Sequence, residues 1–305
     1  MASVTLAESA KLEQDMLVAG VIENVITVNR MYEVLPFQAI SGNALAYNRE
    51  NVLGDVQRLA VGGTITAKAA ATFTQVTSSL TKIIGDAEVD GLIQATRSNI
   101  NDQKAVQIAS KAKSAGRDYQ DQLINGDGTG NSFNGLLDLC VAGQTVATGA
   151  NGGALSFQFL DELLDLVTDK DGQVDYITMH ARTLRSYNAL LRGLGGASIG
   201  DVVTLPSGTT VPAYRGVPMF RNDYIPINQT KGTGSNQTTI LAGTLDDGAM
   251  MHGIAGLTAE GAAGIRIEEV GVAESKDETI TRIKWYCGLA LFSEKGLACA
   301  DGITN

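Results

Sequence analysis

The sequence predicts an α+β protein, in which a few amphipathic helices are interleaved with many separate strands. Three observations carry that reading. The run 100–123 places Ile108, Ala112, Ala115, Tyr119 and Leu123 at three- and four-residue spacing, the pattern of one long amphipathic helix. Segments rich in Val, Ile and Thr at 217–221, 239–243, 265–270 and 279–291 read as strands. Between the helix and these strands lies NGDGTGNSFNGLL at 125–137, a glycine-rich stop.

Taken in chain order, residues 1–24 are a polar arm with helical tendency, carrying Glu8, Glu13, Asp15 and Glu23 against Lys11. Its apolar stripe is too sparse to hold a helix alone. Ordering it costs about 1–2 kcal/mol per residue, so Leu12, Met16 and Leu17 are expected to anchor it on a neighbouring subunit. Residues 25–37 are β-like and closed by Pro36. From 38 to 75, two alternating stretches flank 51–55 and Gly62-Gly63, which describes a long hairpin. A two-stranded hairpin is marginal in water, and nothing in the sequence offers it internal cover. Tyr47, Val52, Leu53 and Phe73 are therefore expected to pack on another chain; an ordinary surface hairpin is the plainer alternative.

Residues 76–97 read as a strand, a turn at Gly85-Asp86 and the start of a helix. The alanines on the buried face of the long helix permit close approach of another element. Gly126, Gly128 and Gly130 allow positive φ and end the helix sharply. Ser156 is a candidate N-cap for a helix through about 168 whose core face is Phe159, Leu160, Leu163, Leu164 and Val167. A strand at 174–179, a helix at 181–192 and a glycine-rich loop at 194–208 follow. No internal repeat or low-complexity linker separates independent domains.

Composition narrows the function. A chain of 305 residues suits one large domain or two ordinary ones. It is 44% hydrophobic but only 5% aromatic, with 35 glycines, which favours thin elements and extended sheets over a deep aromatic core. The net charge of −10 argues against a nucleic-acid reader, which needs a basic face to displace phosphate counterions. It is compatible with a container whose acidic wall repels DNA, and equally with plain solubility. Cys140, Cys287 and Cys299 have no CxxC spacing, and no basic region followed by an apolar core opens the chain. No apolar run approaches the ~18 residues of a membrane helix. Synthesis in a reducing cytoplasm is expected, with no membrane.

The chemical motifs are weak. Gly128-x-Gly130-x-x-Phe133 lacks the third glycine of a dinucleotide fingerprint and follows a helix instead of a strand. Asn125-x-Asp127-x-Thr129-x-Asn131 imitates a calcium loop, but its twelfth position is Leu136, where a bidentate Glu is required. His180 and His252 have no ligand-spaced companion, and His180 stands where a strand passes into a helix, which suits a cap. Asp161-Glu162 is read as solvated, and Glu268-Glu269 point to opposite faces of a strand. No catalytic residue, cofactor site or metal site is assigned.

The order of parts resembles the major capsid proteins of tailed bacteriophages with the Hong Kong 97 phage fold, from about 25 to 302. The corner at 125–137 is similar to the one that follows the family's spine helix. VDYITMHARTL at 174–184 resembles its strand-turn-helix element, and Gly216-Val217-Pro218-Met219 its strand entry. TILAG at 239–243 with Asp246-Asp247-Gly248-Ala249, and IKWYCGLALFSEKGLA at 283–298, resemble its later strands. The resemblance implies an N-terminal arm (1–24), an E-loop (38–75), a peripheral domain (25–37, 76–145 and 246–281) and an axial domain (146–245 and 282–305). It implies a structural protein without enzymatic activity that self-assembles into hexamers and pentamers of an icosahedral shell around dsDNA, in a virion made in a host bacterial cytoplasm. Portal protein, a separate scaffolding protein and a decoration protein are the partners it suggests. With the E-loop starting near residue 38, no long scaffold-like segment is expected before it. Lys68 could take the part of the lysine that some relatives use to weld subunits, but no Asn lies between 270 and 302, so no covalent weld is expected. An encapsulin-like nanocompartment and an α+β enzyme with an unrecognised site remain as alternatives.

Overall fold

Long-range strand pairing organises the chain. A computed structural model describes residue 31 and residues 34–97, 103–169, 172–194, 201–262 and 264–304. The arm at 1–24, with Leu12, Met16 and Leu17, lies outside the described residues, as does most of the strand expected at 25–37.

In chain order, β1 (Phe37–Ile40) leads to β2 (Ala44–Val52) and β3 (Thr72–Ser79), then β4 (Thr81–Asp90). Helix α1 (Gly91–Arg97) precedes the spine helix α2 (Gln103–Asn125) and the short α3 (Leu136–Leu139). After β5 (Thr145–Ala147) come α4 (Phe157–Thr168), β6 (Tyr176–Met179) and α5 (Ala181–Gly193). The remainder is β7 (Val202–Thr204), β8 (Thr210–Tyr214), β9 (Val217–Arg221), β10 (Gln229–Lys231), β11 (Gly234–Gly243), β12 (Ile254–Ala259), β13 (Arg266–Val272), β14 (Glu278–Leu291) and β15 (Leu297–Ile303).

Two sheets and a ribbon result. One sheet runs β1-β12-β14-β13, with β4 also paired to β14. The second runs β5-β15-β11-β6-β9-β8-β7, with β10 on β11. The ribbon is the β2–β3 hairpin, antiparallel from Ala44 opposite Ser79 to Val52 opposite Thr72. By contacts the described residues divide into two units, one of residues 85–97, 103–113 and 267–283 and the other of the rest. The division passes through the interiors of β4, α2 and β14 and not through loops.

In the smaller unit, the expected Gly85-Asp86 turn is instead part of the continuous strand β4. Asp86 accepts two hydrogen bonds from the Arg282 guanidinium, both 2.8 Å. That partner holds the Asp86 carboxyl below its ordinary range. Asp90 caps α1, accepting from the backbone N–H groups of Leu92 at 2.8 Å and Ile93 at 3.3 Å. Lys104 pairs with Glu269. β13 is exposed along its whole length.

The larger unit has two principal cores, one on each face of the second sheet. Alternation along β11 and β15 separates them. Leu241, Leu297 and Cys299 enter one core with Tyr119, Leu123, Phe133, Tyr176 and Phe220. Ile240, Ala242, Ala298 and Ala300 enter the other, beneath α4 and α5, with Leu160, Leu163, Leu164, Val167 and Tyr187. Being covered on both faces, these strands read as nearly unbroken apolar runs. Ser156 caps α4 as expected, its hydroxyl accepting from the Phe159 N–H at 3.3 Å. The scarce aromatics are concentrated, against expectation: Tyr119 lies 4.5 Å from Trp285 and 5.7 Å from Phe133 between ring centroids. Sequence composition counts rings without saying that they meet.

Candidate functional site

Two features stand out, the corner after α2 and the hairpin. The corner is a backbone construction. The Gly126 N–H donates to the Gln122 carbonyl at 2.9 Å, and Gly135 N–H donates to the Gly126 carbonyl at 2.8 Å. Gly128 and Gly130 have φ of 66° and 62°, as the sequence required. Gly126 does not, which corrects the expectation for that residue. Its glycine is demanded by space, since a Cβ there would lie 2.1 Å from the Phe133 carbonyl oxygen.

Inside the turn, the Asp127 carboxylate accepts from the Thr129 N–H at 3.1 Å and from the Thr129 hydroxyl at 2.8 Å. These bonds hold its pKa below the ordinary value. Its oxygens thus close an Asx turn. Asn125 donates to the Asp121 carboxylate at 2.7 Å and to the Tyr224 carbonyl at 3.0 Å, tying the helix end to the strand loop at 224. Among the described residues no group of three or more His, Cys, Asp or Glu is placed to hold a metal.

The histidine at the strand-to-helix junction is a cap. His180 Nδ1 accepts from the Arg182 N–H at 3.0 Å, and partial burial holds the imidazole below its usual pKa. Asp161 is not merely solvated, as the sequence suggested. It accepts from the Tyr214 hydroxyl at 2.8 Å and from Arg215 at 3.2 Å, because β8 brings Tyr214 to the side of α4.

The hairpin has a seated root and a bare remainder. Leu45, Tyr47 and Arg49 share one face of β2, with alternate neighbours exposed. Leu45 and Tyr47 pack against a small cluster of Ile40, Ala255, Leu257, Ala290 and Phe292. The Tyr47 hydroxyl donates to the Leu291 carbonyl at 2.6 Å, and its ring meets Phe292 edge-on at 5.2 Å. Arg49 donates to the carbonyls of Leu291 at 2.5 Å and Phe292 at 3.0 Å and pairs with Glu294 at 2.8 Å. Tyr47, expected to contact another subunit, is therefore engaged inside its own chain. Arg49 was not singled out from the sequence, although its two-residue spacing from Tyr47 carried the signal.

Beyond the root the larger apolar side chains stay largely exposed among the described residues. Val52, Leu53 and Phe73 are 59%, 74% and 64% exposed, and Val56, Val61 and Ile65 are exposed as well. Gln57 organises this distal loop. Its carbonyl oxygen accepts from the N–H groups of Thr66 and Ala67, at 2.7 and 2.6 Å, and from the Thr66 hydroxyl at 2.8 Å. The projecting loop is thus ordered by its own polar contacts while its apolar side chains face outward.

An extended hairpin, a spine helix closed by a glycine corner and a strand-rich body define a shell-building protein with the Hong Kong 97-type capsid fold. A sequence model of the SU10 major capsid protein family matches residues 21–204, and the chain belongs to that family. Among solved structures, it is similar to the holo-SrpI encapsulin complex from Synechococcus elongatus PCC 7942, with 19% identity, a TM-score of 0.75 and coverage of 99% of this chain and 96% of that one. The capsid of a native GTA particle is 14% identical with a TM-score of 0.69, covering 99% of each chain. That of Microbacterium phage Oxtober96 is also 14% identical, with a TM-score of 0.64 and 99% of each chain covered. No curated protein sequence gives a significant match.

Proposed function

We propose that the chain acts as the major capsid protein of a tailed phage by closing into an icosahedral head shell around dsDNA, with the distal hairpin as a principal contact between subunits. The exposed apolar run at Val52, Leu53 and Phe73 carries this reading. Burying one such side chain contributes about 1.5–3 kcal/mol, and a closed shell repeats each contact in every subunit. Leu12, Met16 and Leu17 of the arm are assigned a second contact of the same kind. The peripheral and axial domains and hexamer and pentamer capsomers belong to this reading. So do synthesis in a host cytoplasm and the partnership with portal, scaffolding and decoration proteins. It includes no enzymatic step.

Electron microscopy of the purified protein tests the proposal, with closed shells as the expected outcome. Small oligomers at every concentration and salt would overturn it. Shells that enclose a protein cargo in place of DNA when isolated from the native source would favour a nanocompartment.

A further inference from the structure

Cys140 ends α3, immediately after the glycine corner. Cys299 lies on β15, in parallel register with Thr145 of β5. The Thr145 hydroxyl stands 3.2 Å from Cys299 Sγ and 3.9 Å from Cys140 Sγ, so one hydroxyl touches both sulfurs. All three cysteines are free thiols, and Cys140 and Cys299 share the Thr145 hydroxyl as a partner. Cys140 is half-buried, and Cys299 keeps 7% of its surface exposed. Cys287 lies apart and completely buried.

We propose that Cys140 and Cys299 form a modification site at which a peroxide produces an intrachain disulfide, stapling the segment after the corner to the C-terminal strand. The neighbouring Cys140 thiol and the Thr145 hydroxyl, 3.2 Å away, hold the Cys299 thiol below the ordinary value. As thiolate it attacks one peroxide oxygen, breaking the O–O bond to give a sulfenic acid and hydroxide. The Cys140 thiol gives up its proton and its sulfur displaces the sulfenic hydroxyl, forming the S–S bond. Two thiols are oxidised by two electrons, and one hydrogen peroxide becomes two waters. Burial pushes the Cys287 thiol up to about 12, so it stays out of this chemistry.

The bond would close a loop over residues 140–299, a long span of the kind whose closure most restricts the unfolded chain. The pairing stands on local geometry alone. Only its occasion, transfer of a finished shell from a reducing cell to an oxidising exterior, rests on the assembly reading.

The full-length protein, as shells and as dissociated subunits, is treated with hydrogen peroxide, then denatured and alkylated without reductant. The expected product has lost two hydrogen atoms, yields one linked peptide pair containing Cys140 and Cys299, and alkylates only at Cys287. Its unfolding temperature is raised by several degrees over the reduced protein. C287S should keep the link and C299S should lose it. Should C299S fail to fold, the peptide map of the unsubstituted protein decides. Free Cys140 and Cys299 after treatment, a link between two chains, or sulfinic acid at Cys299 without a link would each overturn the proposal. Failure to form shells leaves the subunit result intact, so the two readings fail separately.

Discussion

Gly135 donates its backbone N–H to the carbonyl oxygen of Gly126 across 2.8 Å, so the chain leaving the corner is hydrogen-bonded to the residue at which the spine helix ends. The two glycines approach so closely that neither position has room for a side chain: a Cβ on Gly135 would lie 2.7 Å from the Gln122 carbonyl oxygen.

The corner glycines should therefore differ in tolerance. Gly126→Ala meets backbone oxygen at 2.1 Å and should destabilise by about 3 kcal/mol or more, since the obstacle is main chain and cannot rotate away. Gly130→Ala enters open space at φ 62° and should cost only about 1–2 kcal/mol of left-handed strain. Urea denaturation of both variants measures the difference. Equal losses would show that space at Gly126 is not the constraint.

The hairpin root should respond to Tyr47→Phe. The substitution keeps the ring against Phe292 and removes only the bond to the Leu291 carbonyl, a loss of about 0.5–1.5 kcal/mol. Amide exchange in β2 should speed up while exchange in β11 stays unchanged. Uniform acceleration through the chain would mean that the root is not a local seat.

Leu53→Asp and Phe73→Asp should leave the isolated subunit within about 0.5 kcal/mol of its original stability, because both side chains are already solvent-exposed. Shell formation should fail or require much higher protein concentration, as light scattering would register. Unimpaired assembly of both variants would remove the distal hairpin from the list of contacts.

The His180 cap makes stability depend on pH. Burial lowers its folded-state pKa below the ordinary value of 6.5, so the unfolded chain binds the proton more readily. The stabilisation is complete above 6.5 and declines as pH falls from there through the lower folded-state value. His180→Asn retains a capping side chain without a proton to gain. Its urea midpoint should vary less than that of the unsubstituted protein between pH 8 and pH 5. Parallel curves would place the titration elsewhere.

Subunits should separate fully on a denaturing gel. Lys68 is exposed on the distal hairpin, but no Asn stands between 270 and 302 to receive it. Boiled, reduced shells should give one band near 31.9 kDa. A ladder would reveal a different acceptor.

Features that depend on neighbours a few residues away were legible in the sequence. The inward face of α2, the left-handed Gly128 and Gly130, and the caps at Ser156 and His180 follow from backbone periodicity and local hydrogen bonding. The hairpin was legible for the same reason, as alternation broken by glycine. Features that depend on distant register emerged with the folded chain. Tyr47 and Arg49 meet Leu291 and Phe292 because β1 lies parallel to β12 and β12 antiparallel to β14, which brings the end of β14 beside the hairpin root. Gly126 is glycine because Phe133 returns over it, and Cys140 shares the Thr145 hydroxyl with Cys299 because β15 runs parallel to β5. Such contacts join residues that the chain separates widely. Strand pairing selects them from many registers that satisfy the same local pattern equally well.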